Sequence, residues 1–132
     1  MARTDTIEYI TISSTGNAAD FGNLTTSRQY SPGGCSDGTT GVFGGGYDTS
    51  YSNVIDYVTI SSAANASDFG DLTTAQKAYT TAASDGTKAV WFGGQHPAVN
   101  IIDYVTIASI GNATDFGDLA SVNYGPAAAS GD

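Results

Sequence analysis

The chain has 132 residues with 13 acidic and four basic side chains, a formal charge of −9, and 17 glycines, roughly one residue in eight against an average near 7%. That length holds about one domain, and such a charge repels a phosphate backbone, so nucleic acid is not an expected partner. No apolar run approaches bilayer length and the first residues lack the apolar core of a secretory signal, so no membrane partner is expected and the chain reads as soluble, without a signal peptide of its own.

The first predicted strand, Ile7-Glu8-Tyr9-Ile10-Thr11-Ile12, returns as Ile55-Asp56-Tyr57-Val58-Thr59-Ile60 and again as Ile102-Asp103-Tyr104-Val105-Thr106-Ile107. A period of about 47–48 residues, carried by short alternating strands and glycine turns, predicts an all-β repeat protein of propeller blades or a related array. With the strands of a unit lettered a to d, the chain opens at c and runs through the first Asp20-Phe21-Gly22 segment as d. A full unit follows. Its a–b hairpin turns at Asp37-Gly38, strand b runs from Gly41 to the glycine pair Gly45-Gly46, strand c spans 54–60 and strand d ends at Leu72. The next unit repeats the order with Asp85-Gly86, Ala89 to Gly94, 101–107 and a segment ending at Leu119. The single domain, 1–132, thus divides into a partial blade with the start of the second (1–35), a repeat unit (36–83) and a unit ending before strand b (84–132).

Local chemistry supports these boundaries. Asp-Gly between small and β-branched residues predicts a tight hairpin with positive φ at both central positions. In 55–60 the Ile, Tyr and Thr positions face one side and the Asp, Val and Ile positions the other, so both faces carry apolar groups, as in a strand sandwiched between sheets. The glycine pairs mark either a sharp turn or the close approach of an aromatic ring.

The order of small-residue strand, Asp-Gly turn, hydrophobic strand ending in a glycine pair, Tyr-bearing strand and aromatic-plus-Leu segment resembles the kelch repeat of β-propellers. The match is closest in Ala89-Val90-Trp91-Phe92-Gly93-Gly94 followed by Ile101-Ile102-Asp103-Tyr104. The wording Ile-Asp-Tyr-Val-Thr-Ile and Gly-Asn-Ala-Thr-Asp-Phe-Gly-Asp-Leu is similar to kelch-like repeats in structural proteins of tailed bacteriophages, especially marine ones. Phe21, Phe69 and Phe116 stand where the kelch pattern usually has Trp. The resemblance implies a non-enzymatic structural or adhesion component located in a virion, with a glycan-binding, lectin-like module for a host surface as the alternative.

Catalytic and metal motifs dissolve in the repeat. Asp-Phe-Gly recurs at 20–22, 68–70 and 115–117 without a kinase's other parts and reads as a turn, its Phe packing between sheets. Glu8, Asp56 and Asp103 recur once per unit and are expected to bond a neighbouring loop. Cys35 and His96 are each alone, so neither a zinc site nor a disulfide is expected, and Cys35, aligned with Ala83, reads as an inert thiol. No calcium loop is present, and no cofactor is expected. One His and one Cys cannot furnish a kelch-type copper oxidase, nor can Arg3 and Arg28 form a sialidase arginine cluster. The sequon residues Asn23, Asn65 and Asn112 are expected to serve turns.

Differences between copies fall in the b–c loop and the d–a connection, which strand alternation places at one edge of the sheets. Arg28, Tyr30, Tyr47, Tyr51, Lys77, Tyr79, His96 and Tyr124 are therefore the candidate ligand-binding residues, suited to protein or glycan contact. Asp132 aligns with Asp85, so the last unit halts at the hairpin tip. Three units are too few for a ring of about four to eight blades, and open sheet edges invite pairing. The expectation is a homo-oligomer, dimer or trimer, joined through those edges with strands a and c parallel, or a fragment of a longer tandem chain. Other virion proteins and surface glycan are the remaining candidate partners.

Overall fold

A computed structural model of the chain describes residues 2–30, 32–75, 78–95, 97–123 and 125–130. Within them the protein is all-β, with ten strands and no helix. Strands β1 (Thr4–Tyr9) and β2 (Ala19–Arg28) form a two-stranded sheet. The second sheet orders β3 (Gly33–Ser36), β4 (Thr40–Gly44), β5 (Val54–Thr59) and β6 (Ser67–Asp71), and the third orders β7 (Thr81–Ser84), β8 (Lys88–Phe92), β9 (Val99–Thr106) and β10 (Thr114–Asn123). All pairs are antiparallel, and neighbours in each sheet are consecutive in sequence. The a to d order read from the sequence is therefore the spatial order of the second and third sheets.

The Asp-Gly hairpins form where expected, by a different device. Only the glycine takes positive φ, +90° at Gly38 and +82° at Gly86. The aspartate acts through its side chain: Asp37 Oδ1 accepts from the backbone N–H of Thr39 at 2.8 Å and Thr40 at 2.7 Å, and Asp85 Oδ1 from Thr87 at 2.9 Å and Lys88 at 2.7 Å. One flexible residue and one carboxylate cap therefore replace two left-handed residues.

Asp-Phe-Gly is not a turn. It lies within β2, β6 and β10, where Phe21, Phe69 and Phe116 are each the extra residue of a β-bulge: Gly70 pairs with Ile55 and Asp68 with Asp56, leaving Phe69 unpaired. The bulge turns each ring onto the tyrosine of the adjacent strand, giving three edge-to-face pairs at 5.7–5.9 Å, Tyr9–Phe21, Tyr57–Phe69 and Tyr104–Phe116.

The main core lies between the second and third sheets, where Val42, Ile55 and Phe69 meet Trp91, Val105 and Ile107. Ile55 and Asp56, on opposite faces of β5, are both fully buried, so this strand is covered on both sides. Trp91 crosses from β8 to the second sheet, its indole N–H donating to Gly33 O at 2.9 Å. A Cβ on Gly44 would lie 2.7 Å from the Trp91 Nε1. The aromatic approach thus falls at Gly44, one residue before the glycine pair, while Gly45-Gly46 makes the turn with φ of +83° and +100°.

The two junctions between sheets follow one pattern. Asp56 accepts from the Thr25 hydroxyl at 2.5 Å and its N–H at 3.3 Å, and Asp103 accepts from the Thr73 hydroxyl at 2.6 Å and N–H at 3.3 Å. The repeated acid thus clasps the sheet before its own, as the repeat implied. Glu8, in the first sheet, is exposed. Asn65 and Asn112 also reach across a junction rather than serving local turns: their side-chain oxygens accept from Asn23 N at 3.0 Å and Asp71 N at 3.1 Å.

Two elements depart from the reading of the repeat. Strand β1 occupies 4–9 instead of 7–12, leaving Ile12 94% exposed. Residues 125–130, expected as a further strand a, carry no strand, because no described strand lies alongside to complete a ladder.

Candidate functional site

Four of the eight candidate residues gather at one end of the sheets. Tyr30 follows β2, Tyr79 precedes β7, and Tyr47 and Tyr51 lie in the loop between β4 and β5. Backbone bonds hold these connections together: Gln29 N to Tyr47 O and Tyr47 N to Gln29 O, both 2.9 Å, and Tyr79 N to Tyr30 O at 2.9 Å. Tyr30 stacks on Tyr79 at 5.2 Å with 28° between the rings and meets Tyr47 at 5.6 Å, and Tyr47 meets Tyr51 edge-on at 5.1 Å.

The backbone under this cluster is strained in a repeated way. Tyr30 and Tyr79 are the non-glycine residues with positive φ among those described, at +62° and +57°. A bulky residue in that region is costly and persists only where its surroundings hold it. Here the holding is mutual, since each tyrosine's position is set by the hydrogen bond and stack with the other. The strain aims two flat rings side by side at the end of the molecule.

Tyr79 is 37% exposed and the other three rings are half-buried. Tyr51 ionises above its usual range, first through partial desolvation and then through the phenols of Tyr47, Tyr30 and Tyr79. The face offers phenol hydroxyls that can both donate and accept, set on apolar rings. Arg3, absent from the candidate residues, borders the face by an exposed ion pair with Asp48 of the β4–β5 loop. Gly125 lies beside Tyr79, whose carbonyl oxygen would be 3.1 Å from a Cβ there.

Arg28 does not belong to this surface. Its guanidinium is buried, pairs with the buried Asp56 carboxylate and donates at 3.0 Å to the carbonyls of Gly45 and Val54. It ties the end of β2 to the second sheet. Lys77, His96 and Tyr124 lie outside the described residues.

An apolar groove of about 310 Å³ opens between the first and second sheets, lined by Ile7, Tyr9, Phe21, Phe43, Val58 and Ile60. Cys35 borders it, and burial pushes its thiol up to about 11, which keeps it protonated and unreactive. Among the described residues no three His, Cys, Asp or Glu side chains converge to hold a metal, and no helix is long and apolar enough to cross a membrane. No family model matches the chain, and a search of curated proteins finds no match.

Proposed function

We propose that the three sheets are kelch-like propeller blades and that the chain is a non-enzymatic structural or adhesion component of a phage particle, which meets its partner through the tyrosine face. The observation that carries this reading is the convergence of Tyr30, Tyr47, Tyr51 and Tyr79, from three connections, into one partly exposed cluster. Rigid amphipathic rings give contact area at little entropic cost, which suits protein recognition. The wording of the repeats, similar to that of tailed-phage structural proteins, supplies the virion context.

The stacked pair Tyr30–Tyr79 favours a second reading, glycan binding, because a flat ring platform bordered by hydroxyls fits the apolar face and polar rim of a sugar. Titrating the chain over immobilised bacterial surface polysaccharides and over purified tailed-phage virion proteins separates the two. Tyr79→Ala is expected to weaken the productive contact about five- to tenfold with the fold intact by circular dichroism. Binding that survives loss of both the Tyr79 and Tyr51 rings would overturn the assignment of this face.

A further inference from the structure

The molecule contains one sheet-to-sheet junction twice and leaves its two halves uncovered at opposite ends. In each internal junction, the loop before the bulged strand of one sheet lies across the bulged strand of the sheet before it. Gly111 N donates to Phe69 O at 2.9 Å, Ala113 N donates to Asp71 O at 2.7 Å, and Asn112 accepts from Asp71 N at 3.1 Å. One sheet earlier, Ala66 N donates to Asn23 O at 2.8 Å and Asn65 accepts from Asn23 N at 3.0 Å. The receiving strand must carry glycine. A Cβ on Gly70 would lie 2.4 Å from Gly111 O, and one on Gly22 would lie 2.3 Å from Ala64 O.

Strand β10 repeats the receiving half with nothing on it among the described residues. Gly117 holds φ of +144°, beside +147° at Gly70 and +149° at Gly22, yet a Cβ there would meet nothing within 4 Å. Phe116 is 58% exposed, where Phe69 and Phe21 are 1% and 9%. The donating half is equally uncovered in the first sheet. Gly16-Asn17-Ala18 aligns with Gly111-Asn112-Ala113, and all three of its residues are exposed, where Gly111 and Ala113 are half-buried.

We propose that the Gly16-Asn17-Ala18 loop of one copy of this chain docks on Phe116-Gly117-Asp118 of a second copy, reproducing the internal junction between chains. The proposal rests on the reading of the sheets as units of one repeating array and is independent of the tyrosine face. Continuity names the occupant: Gly16-Asn17-Ala18 and Phe116-Gly117-Asp118 repeat the Gly111-Asn112-Ala113 loop and the Phe69-Gly70-Asp71 strand that already meet within the chain, and Ala64-Asn65-Ala66 meets Phe21-Gly22-Asn23 in the same way. The contact is heterologous, so copies add head to tail and either close a ring or run on.

One part of the internal junction is not reproduced. Thr25 and Thr73, which bond Asp56 and Asp103, align with Ala120, and the two acids align with Glu8. The junction between chains therefore lacks the hydroxyl–carboxylate bond and is weaker than the two within the chain. Like charges of −9 on each copy also oppose it until salt screens them.

Sedimentation velocity on the full chain at physiological salt, from roughly 1 µM to 1 mM, tests this. Mass above one copy is expected to grow with concentration. Asn17→Ala removes an acceptor on an exposed loop and is expected to raise the dissociation constant about fivefold. The double variant Glu8→Asp with Ala120→Thr restores the clasp and is expected to lower it about tenfold. A chain, wild type and double variant alike, that stays a single copy throughout overturns the proposal, and so does association indifferent to both changes. Negative-stain averages of the assembled sample judge the propeller reading separately: sheets stacked in a straight line sink it and leave the interface standing.

Discussion

Arg28 shows how a residue's role turns on the direction of one side chain. Its sequence position, at the head of a variable connection, suggests a surface cation, whereas the strand it ends turns it inward to Asp56. Burying such a pair contributes little net stability, yet removing one partner strands the other. Arg28→Met is therefore expected to cost about 3–5 kcal/mol in urea unfolding. Arg3→Ala, which breaks only the exposed pair with Asp48, should cost at most about 1 kcal/mol. A loss at Arg28 no larger than that at Arg3 would contradict the buried pairing. Cys35 was legible in size, because its alignment with Ala83 demands only a small side chain, whereas its half-buried place beside the groove was not.

At the scale of the element, the Asp-Gly hairpins were readable in position and not in mechanism. Composition places a turn, but whether Asp contributes its backbone or its carboxylate depends on dihedral angles that the residue type leaves open. Backbone N–H groups, led by Thr40 for Asp37 and Lys88 for Asp85, hold both carboxyls below the usual aspartate range. A depressed folded value means that the caps stabilise fully above the unfolded value near 4 and are lost as pH falls through the folded one. Stability should therefore drop on acidification below about pH 4, and the Asp37→Asn, Asp85→Asn double variant should show a shallower drop in thermal melts across that range. An unchanged slope would remove the carboxylates from the caps. The Asp-Phe-Gly segments were misread for a related reason: Asp and Gly signal turns, and here a bulge uses the same chemistry inside a ladder.

For the molecule as a whole, sheet-to-sheet packing is concentrated where Trp91 enters the second sheet. Gly44→Ala would place a methyl 2.7 Å from the indole nitrogen that bonds Gly33 O, with no soft neighbour to yield. Overpacking of this kind typically costs about 1–3 kcal/mol. The emission of Trp91, the one tryptophan of the chain, should report the loss as an earlier unfolding midpoint. A midpoint equal to wild type would show that the sheets can part at that contact without penalty. The tyrosine face belongs to this scale too, since its four rings lie up to 49 positions apart in sequence, at 30 and 79, and meet because the connection after β2 hydrogen-bonds both to the β4–β5 loop and to the connection before β7.

The repeat and the strand order within each sheet were determined by sequence alone. They follow from periodicity and strand alternation, which are local properties of the chain. Tertiary structure alone decided that Arg28 turns inward, that Asn65 and Asn112 clasp the preceding sheet, that Tyr30 and Tyr79 stack in left-handed backbone, and that Phe116 and Gly117 are left uncovered. Those outcomes depend on what each strand finds across the gap to the next sheet, and the recurring strands of the three sheets meet three different surroundings.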